Sequence, residues 1–179
     1  MCIRDRPKVS WKSKENLILG LLILGIGASH LVSRRGFTAE RLALLSFFPT
    51  EAVQFIKNNP QLPKKMWNPY GWGGFLLWQL GPDTKIYFDG RAHTVYPEKV
   101  YSDGYFIQYG EPWRRILRNR GLEPPSGTRL QVLDEYAVDL VLVDRNQGDL
   151  GIVLSQSIHW NSIYQDSKCI LFLRQNTKS

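Results

Sequence analysis

The sequence predicts an α/β protein: a layered sandwich with a mixed sheet ending in a β-hairpin, preceded by one transmembrane helix. Three observations predict it. Residues 16–33, NLILGLLILGIGASHLVS, form a run of 18 residues without a formal charge. Residues 138–144, VDLVLVD, have the near-continuous apolar character of a strand buried on both faces, and they stand among segments of helical periodicity. Two strand-like stretches, Trp160–Gln165 and Cys169–Arg174, flank the turn sequence Asp166-Ser167-Lys168. Helices interleaved with buried strands argue for packed layers, and the closing hairpin makes the sheet mixed.

As a helix, residues 16–33 would be about 27 Å long, just short of a hydrocarbon core of roughly 30 Å. Trp11, Lys8, Lys12 and Lys14 precede the run and Arg34 and Arg35 follow it, the flanks with which a spanning helix anchors at both interfaces. A secretory signal peptide, with cleavage after Ala28 or Ser29, and a buried core helix are the competing readings; length and flanks favour spanning. The Lys/Arg count is three on each side, so charge does not set the orientation. His30 reads as an interfacial polar residue. The domain plan is then a juxtamembrane segment at 7–15, the membrane helix at 16–33, a linker at 34–48 and a soluble α/β domain at 49–176.

Within that domain, Thr50 reads as an N-cap for a short helix with Ala52, Val53, Phe55 and Ile56 on one face, stopping at Asn58-Asn59-Pro60. A strand is expected around 65–68. Residues 71–80, GWGGFLLWQL, are apolar nearly all round, which predicts a buried helix ended by Gly81-Pro82. KIYFD at 85–89 reads as a strand with Ile86 and Phe88 facing one way. EPWRRILRNR at 111–120 predicts an amphipathic helix with Trp113, Ile116 and Leu117 inward and Gly121 as its cap. Residues 123–128, EPPSGT, are a loop, residues 131–136 a short helix, and residues 150–157 another.

The chain carries 23 Lys+Arg against 16 Asp+Glu, a formal net charge of +7. Residues 1–48 hold 8 basic and 3 acidic residues and the remainder is close to neutral, which argues against nucleic acid as a partner of the folded domain. Two cysteines, Cys2 and Cys169, exclude a disulfide framework and a Cys-rich zinc site.

In α/β sheets ligands bind beyond the carboxyl ends of the strands. Asp89 and Asp144 fall at two such ends. Asp89 continues into Gly90-Arg91, so a carboxylate, a flexible backbone position and a guanidinium share one turn; Arg91 could grip a phosphate or carboxylate, but an internal Asp89–Arg91 brace is the favoured reading. Asn68, Tyr70, Trp72, Gly73 and Gly74 form a second constellation, where free N–H groups and aromatic rings could admit an anion or a sugar face. Close helix packing explains Gly73 and Gly74 equally well. No GxGxxG, P-loop or G-x-S-x-G occurs. Ser157, His159 and Asp166 lack anything to fix a triad geometry. His93 and His159 have no metal-ligand spacing, and Cys169 is expected buried and inert. No catalytic residue, metal or cofactor is therefore assigned.

Taken in order, FPTEAVQFIKNN, WNPYGWGGFLLWQL, KIYFDGRAHTVYP, VDLVLVD and HWNSIYQDSKCILFLR resemble the C-terminal soluble domain of bacterial polytopic membrane proteins related to the dolichyl-phosphate-mannose protein mannosyltransferases, glycosyltransferase-like proteins of the GT-C type. The resemblance is most specific at Asn68-x-Tyr70-x-Trp72-Gly73-Gly74 and Phe88-Asp89-Gly90-Arg91. It implies an extracytoplasmic domain at the cell membrane, a lipid-linked sugar as the parent's substrate, and catalytic acids in an N-terminal membrane region that this chain does not contain. The first six residues, MCIRDR, resemble translated adapter sequence at the ends of environmental gene calls, which implies a non-native tail at 1–6 and a helix that is the last of several.

Three function classes follow. The leading expectation is an accessory domain, not itself catalytic, tethered by the last helix of a glycosyltransferase-like protein; its partners are the bilayer, the missing membrane region and a glycan or lipid-linked sugar. The alternative is a self-contained single-pass envelope protein binding a glycan or a partner protein. The third, a small enzyme with Asp89 and Asp144 as an acid/base pair, needs both carboxyls within reach of one cleft.

Overall fold

The computed structural model describes residues 46–91 and 94–175, together with Gly25. The chain divides into two units, Met1–Leu45 and Ser46–Ser179, and every element below belongs to the second. The expected membrane helix at 16–33, its juxtamembrane flank, most of the linker, His30 and His93 lie outside the described residues. Among those described, no helix is long and apolar enough to cross a membrane.

The domain is a mixed α/β fold around a five-stranded sheet. The strands are β1 (Lys65–Trp67), β2 (Lys85–Ile86), β3 (Leu140–Asp144), β4 (Trp160–Gln165) and β5 (Cys169–Arg174). Their spatial order is β2-β1-β3-β5-β4. β1 runs parallel to β2 and β3, and the β5–β4 hairpin joins β3 antiparallel, in the register Leu142↔Leu171. Helices α1 (Thr50–Asn58), α2 (Gly73–Leu80), α3 (Glu98–Tyr109), α4 (Glu111–Asn119), α5 (Arg129–Glu135) and α6 (Leu150–Ser155) and a 3-10 turn at Tyr70–Trp72 surround the sheet.

Strand alternation sorts the core into two clusters, one on each side of the sheet. Met66, Leu140, Leu142, Cys169 and Leu171 pack with Ala52, Val53 and Ile56 of α1 and Leu76 of α2. Trp67, Val141, Val143 and Phe172 point the other way, to Phe106 and Ile107 of α3, Val132 and Leu133 of α5, and Leu150 and Leu154 of α6. All five residues of β3 are buried, as its unbroken apolar sequence requires at the centre of the sheet. Cys169 is fully buried, and desolvation pushes its thiol up to about 12, so it is inert as expected.

Several local expectations change. α1 begins at Thr50 with Pro49 as its cap residue, and no side chain caps it; Pro49 O instead accepts the Val53 N–H at 3.0 Å. α2 ends as expected at Gly81, whose φ of 72° suits glycine, but the helix is not buried all round: Trp78 is 71% exposed and Leu77 36%. In α4, Leu117 is buried and Trp113 packs against the core, whereas Ile116 is 40% exposed because only one stripe of the helix reaches α3. The strand at 85–89 stops after two residues. Ile86 packs on the α1–α2 side, and Phe88 does not face the same way, meeting Trp67, Tyr70, Tyr87 and Tyr105 instead.

α3 has no counterpart in the sequence reading. Its inner face mixes Phe106 and Ile107 with Asp103, Gly104 and Gln108, so no apolar period marks it. The polar members are satisfied across space: the Asp103 carboxylate accepts from Lys99 Nζ and Tyr136 Oη, each at 2.6 Å, and Gln108 donates to Gln147 at 2.8 Å. α5, expected at 131–136, begins at Arg129 because a capping box starts it, in which the Thr128 hydroxyl accepts from Gln131 N and Gln131 Oε1 accepts from Thr128 N.

Candidate functional site

The three parallel strands create a topological switch. β1 lies between β2 and β3; the chain leaving β1 turns into α2 on one face, and the chain leaving β3 turns into α6 on the other. Connections that diverge in this way open the carboxyl edge of the sheet between neighbouring strands, where ligands bind in open α/β folds. The two constellations singled out in the sequence lie along this edge, because one follows β1 and the other follows β2.

These two stretches interlock. Asn68, fully buried, accepts the Tyr87 N–H on Oδ1 at 2.9 Å and donates from Nδ2 to Phe88 O at 2.9 Å and to Pro69 O at 3.0 Å. A side-chain amide thus replaces the backbone ladder that would have extended β2, which explains why the strand ends at Ile86. Gly73 closes the other side: a Cβ there would lie 2.1 Å from Phe88 O and 2.6 Å from Asp89 Cα. Trp72 is buried in the core with α1. The structure therefore commits Asn68, Trp72 and Gly73 to holding residues 87–89 in place. Gly74 has open space around it, and Tyr70 reaches Gly90 O with its hydroxyl at 3.4 Å.

Asp89 is buried and its carboxylate is fully engaged. Arg91 donates from its backbone N–H at 2.9 Å, from Nε at 2.9 and 3.2 Å and from Nη2 at 2.6 Å, and Tyr96 Oη donates at 2.9 Å. The Arg91 hydrogen bonds hold the carboxyl down to about 2, against the opposing effect of burial. The brace foreseen in the sequence is what forms, with Tyr96 as an unforeseen third member. The Arg91 side chain is 56% exposed, so one face of the guanidinium borders solvent.

Asp144 ends β3, buried, and accepts the Asn146 N–H at 2.9 Å. It ends β3, whereas Asp89 lies three residues beyond the end of β2, and β1 stands between those two strands. A carboxyl held near 2 is too acidic to be a general acid and too weak to be a base near neutrality, so the acid/base reading finds no support in the pair. Asp166 of the Ser157, His159, Asp166 set instead organises the hairpin turn, accepting from Tyr164 Oη, Lys168 N and Cys169 N at 2.7 to 2.8 Å. Among the described residues, no three His, Cys, Asp or Glu side chains gather as metal ligands.

The most extensive feature of the edge was not read from the sequence. Tyr101, Tyr105 and Tyr109 recur every four residues on α3, and with Tyr70 and Trp113 they make a row of half-buried rings. Tyr70 meets Tyr101 edge-on at 5.8 Å, Tyr101 meets Tyr105 at 4.7 Å, and Tyr105 stacks on Trp113 at 4.9 Å and on Tyr109 at 5.9 Å. Phe88, fully buried, lies beneath Tyr70 and Tyr105. Tyr109 Oη donates to Gln147 beyond β3 at 3.3 Å, so the row spans the ends of all three parallel strands. Burial raises the hydroxyls of Tyr105 and Tyr109, which keeps them neutral donors. Beside Tyr109 opens a cavity of about 370 Å³, lined also by Glu111, Pro112, Arg129, Gly148 and Asp149. A larger one, about 450 Å³, lies away from this edge among α3, α4, α5 and the 123–126 loop. The four-residue spacing of the tyrosines was the available signal.

No family model, curated protein or solved structure matches the chain.

The interlock makes a paired expectation. Gly73→Ala lowers stability by about 1–3 kcal/mol, because the atoms it would strike are backbone, whereas Gly74→Ala is neutral or stabilises by up to about 1 kcal/mol; urea unfolding distinguishes them. A second expectation concerns acid. Since the Asp89 pKa is depressed on folding, its pairing contributes stability above the ordinary carboxylate value of about 4 and loses it as pH falls towards 2. Arg91→Gln raises that pKa, so the acid-unfolding midpoint, followed by circular dichroism, moves to higher pH.

Proposed function

We propose that this is an extracytoplasmic accessory domain of a glycosyltransferase-like membrane protein, tethered by its last transmembrane helix, which engages a saccharide without transferring it. The observation that carries the reading is the tyrosine row across the carboxyl edge. Aromatic faces stack on the apolar faces of sugar rings, and their neutral hydroxyls, whose protons are already engaged, leave oxygen lone pairs as acceptors at the rim. Gly90 and the adjoining Arg91 border the β2 end of the row, and Gln147 borders the β3 end. Asn68, Trp72, Gly73 and Asp89 serve by fixing the loops on which Tyr70 and Arg91 stand. The resemblance of WNPYGWGG and FDGR to the GT-C type domain supports a lipid-linked sugar or its acceptor as the saccharide.

The test is a titration of the full chain in lipid nanodiscs with mannose-, glucose- and N-acetylglucosamine-based oligosaccharides, read by saturation-transfer NMR. At least one series binds, and Tyr101→Ala weakens it by about fivefold, the equivalent of roughly 1 kcal/mol for a lost ring contact, while Ile158→Ala at a remote exposed position leaves it unchanged. Absence of binding across the panel overturns the reading.

The compactness of Ser46–Ser179 as a unit of its own favours a second reading, a self-contained single-pass envelope protein that binds a glycan or a partner protein. The genomic sequence separates the two. Further apolar spans in frame upstream support the accessory domain, and a start codon with a ribosome site just before Lys8 supports the self-contained protein.

A further inference from the structure

The second large aromatic feature lies on the opposite side of the sheet from the tyrosine row. Phe47 packs edge-on against Phe48 at 5.3 Å, Phe48 stacks on Phe75 at 4.5 Å, and Phe75 meets Trp78 at 6.3 Å. Phe48 and Phe75 rest against the α1–α2 core cluster. The two ends of the chain of rings do not: Phe47 is 56% exposed and Trp78 71%, with Leu77 beside it at 36%. The rings thus form one connected patch, rooted in the core and open to the outside, on a helix whose sequence led us to expect full burial.

Two features indicate what covers the patch. The first is where it sits in the chain. Ser46 opens the compact unit, and Phe47 is its second residue. The run 16–33, read from sequence as membrane-spanning, is separated from Ser46 by 12 residues, a link that spans at most about 45 Å even when fully extended. The second is its chemistry. Trp and Phe are exposed at the surface, and lysines lie at the border: Lys57 Nζ donates to Gln79 Oε1 at 2.8 Å, and Lys168 Nζ donates to Phe48 O at 2.7 Å and to Ser46 O. Aromatic rings with ammonium groups at their margin are the composition that partitions into the headgroup region of a bilayer.

We propose that Phe47, Leu77 and Trp78 form a membrane-docking face that inserts into the interfacial layer of the bilayer crossed by residues 16–33. This rests on the membrane-helix reading and adds a second attachment to it. Docking through this face leaves the tyrosine row, on the far side of the sheet, directed away from the lipid beneath.

The experiment places the photoreactive residue benzoylphenylalanine at position 78, and in a second variant at position 47, of the full chain in nanodiscs of phosphatidylcholine and phosphatidylglycerol. Both positions are exposed, so both variants keep the fold. Irradiation followed by mass spectrometry is expected to give phospholipid adducts at both positions and none at Ile158, which is 78% exposed but outside the patch. Adducts to a second copy of the chain or to the nanodisc scaffold protein, or no adduct, overturn the proposal. Alkaline carbonate extraction of the same chain from membranes tells the two levels apart. A chain that stays in the membrane but gives no lipid adduct at 78 or 47 defeats the docking face alone, and a chain that is extracted defeats the membrane-helix reading and the docking face with it.

Discussion

One carboxamide sets the position of most of what borders the carboxyl edge. Asn68 stands where β1 ends, and its side chain spends both donors and its acceptor on Pro69, Phe88 and Tyr87. Because Asn68 is fully buried, a lost partner would leave a polar group desolvated, and making these bonds fixes the path of residues 87–89. Gly73 then removes the space in which that path could shift. Asp89 is held at the end of this segment, Arg91 and Tyr96 close upon it, and Phe88 is pressed beneath Tyr70 and Tyr105. The brace, the floor of the aromatic row and the early end of β2 all follow from the same constraint.

The central and C-terminal parts of the sheet could be read directly from sequence. β3 and the hairpin are specified locally, by an unbroken apolar run and by two strands around a turn whose Asp166 bonds its own backbone neighbours. What was not legible depends on partners far away in the chain. α3 hides its helical period because Asp103, Gly104 and Gln108 stand on its buried face, and each is acceptable only in view of a distant group: Tyr136 for Asp103, the Phe88 ring that would lie 2.7 Å from a Cβ at position 104, and Gln147 for Gln108. The glycines before α2 posed the same difficulty. Sequence marked them as special, and only the neighbouring chain shows that Gly73 answers to packing while Gly74 does not. Apolar content also overstated burial in α2, since composition does not tell which ring of GGFLLWQL faces the sheet.

The sheet separates two surfaces of different character. On one side, rings are half-buried, linked to one another and edged by neutral hydroxyls and a guanidinium; on the other they are exposed, joined to a core of aliphatic residues and edged by lysines. The first is suited to discriminating a small polar ligand, because each ring is held by its neighbours and loses little freedom on contact. The second is suited to a broad, unstructured partner, for which exposed area counts more than geometry.

The order β2-β1-β3-β5-β4 leaves two strands at the margins. β2 offers only two residues to an incoming chain, and β4 is interrupted by a bulge between Ser162 and Tyr164 that breaks its regular row of donors and acceptors. Short length and a register shift are devices that weaken a margin as a template for strand addition, the route by which many α/β and β domains recruit extended peptides or one another. Among the described residues, the edges therefore present less regular backbone to a partner than the faces and the carboxyl end of the sheet present side chains.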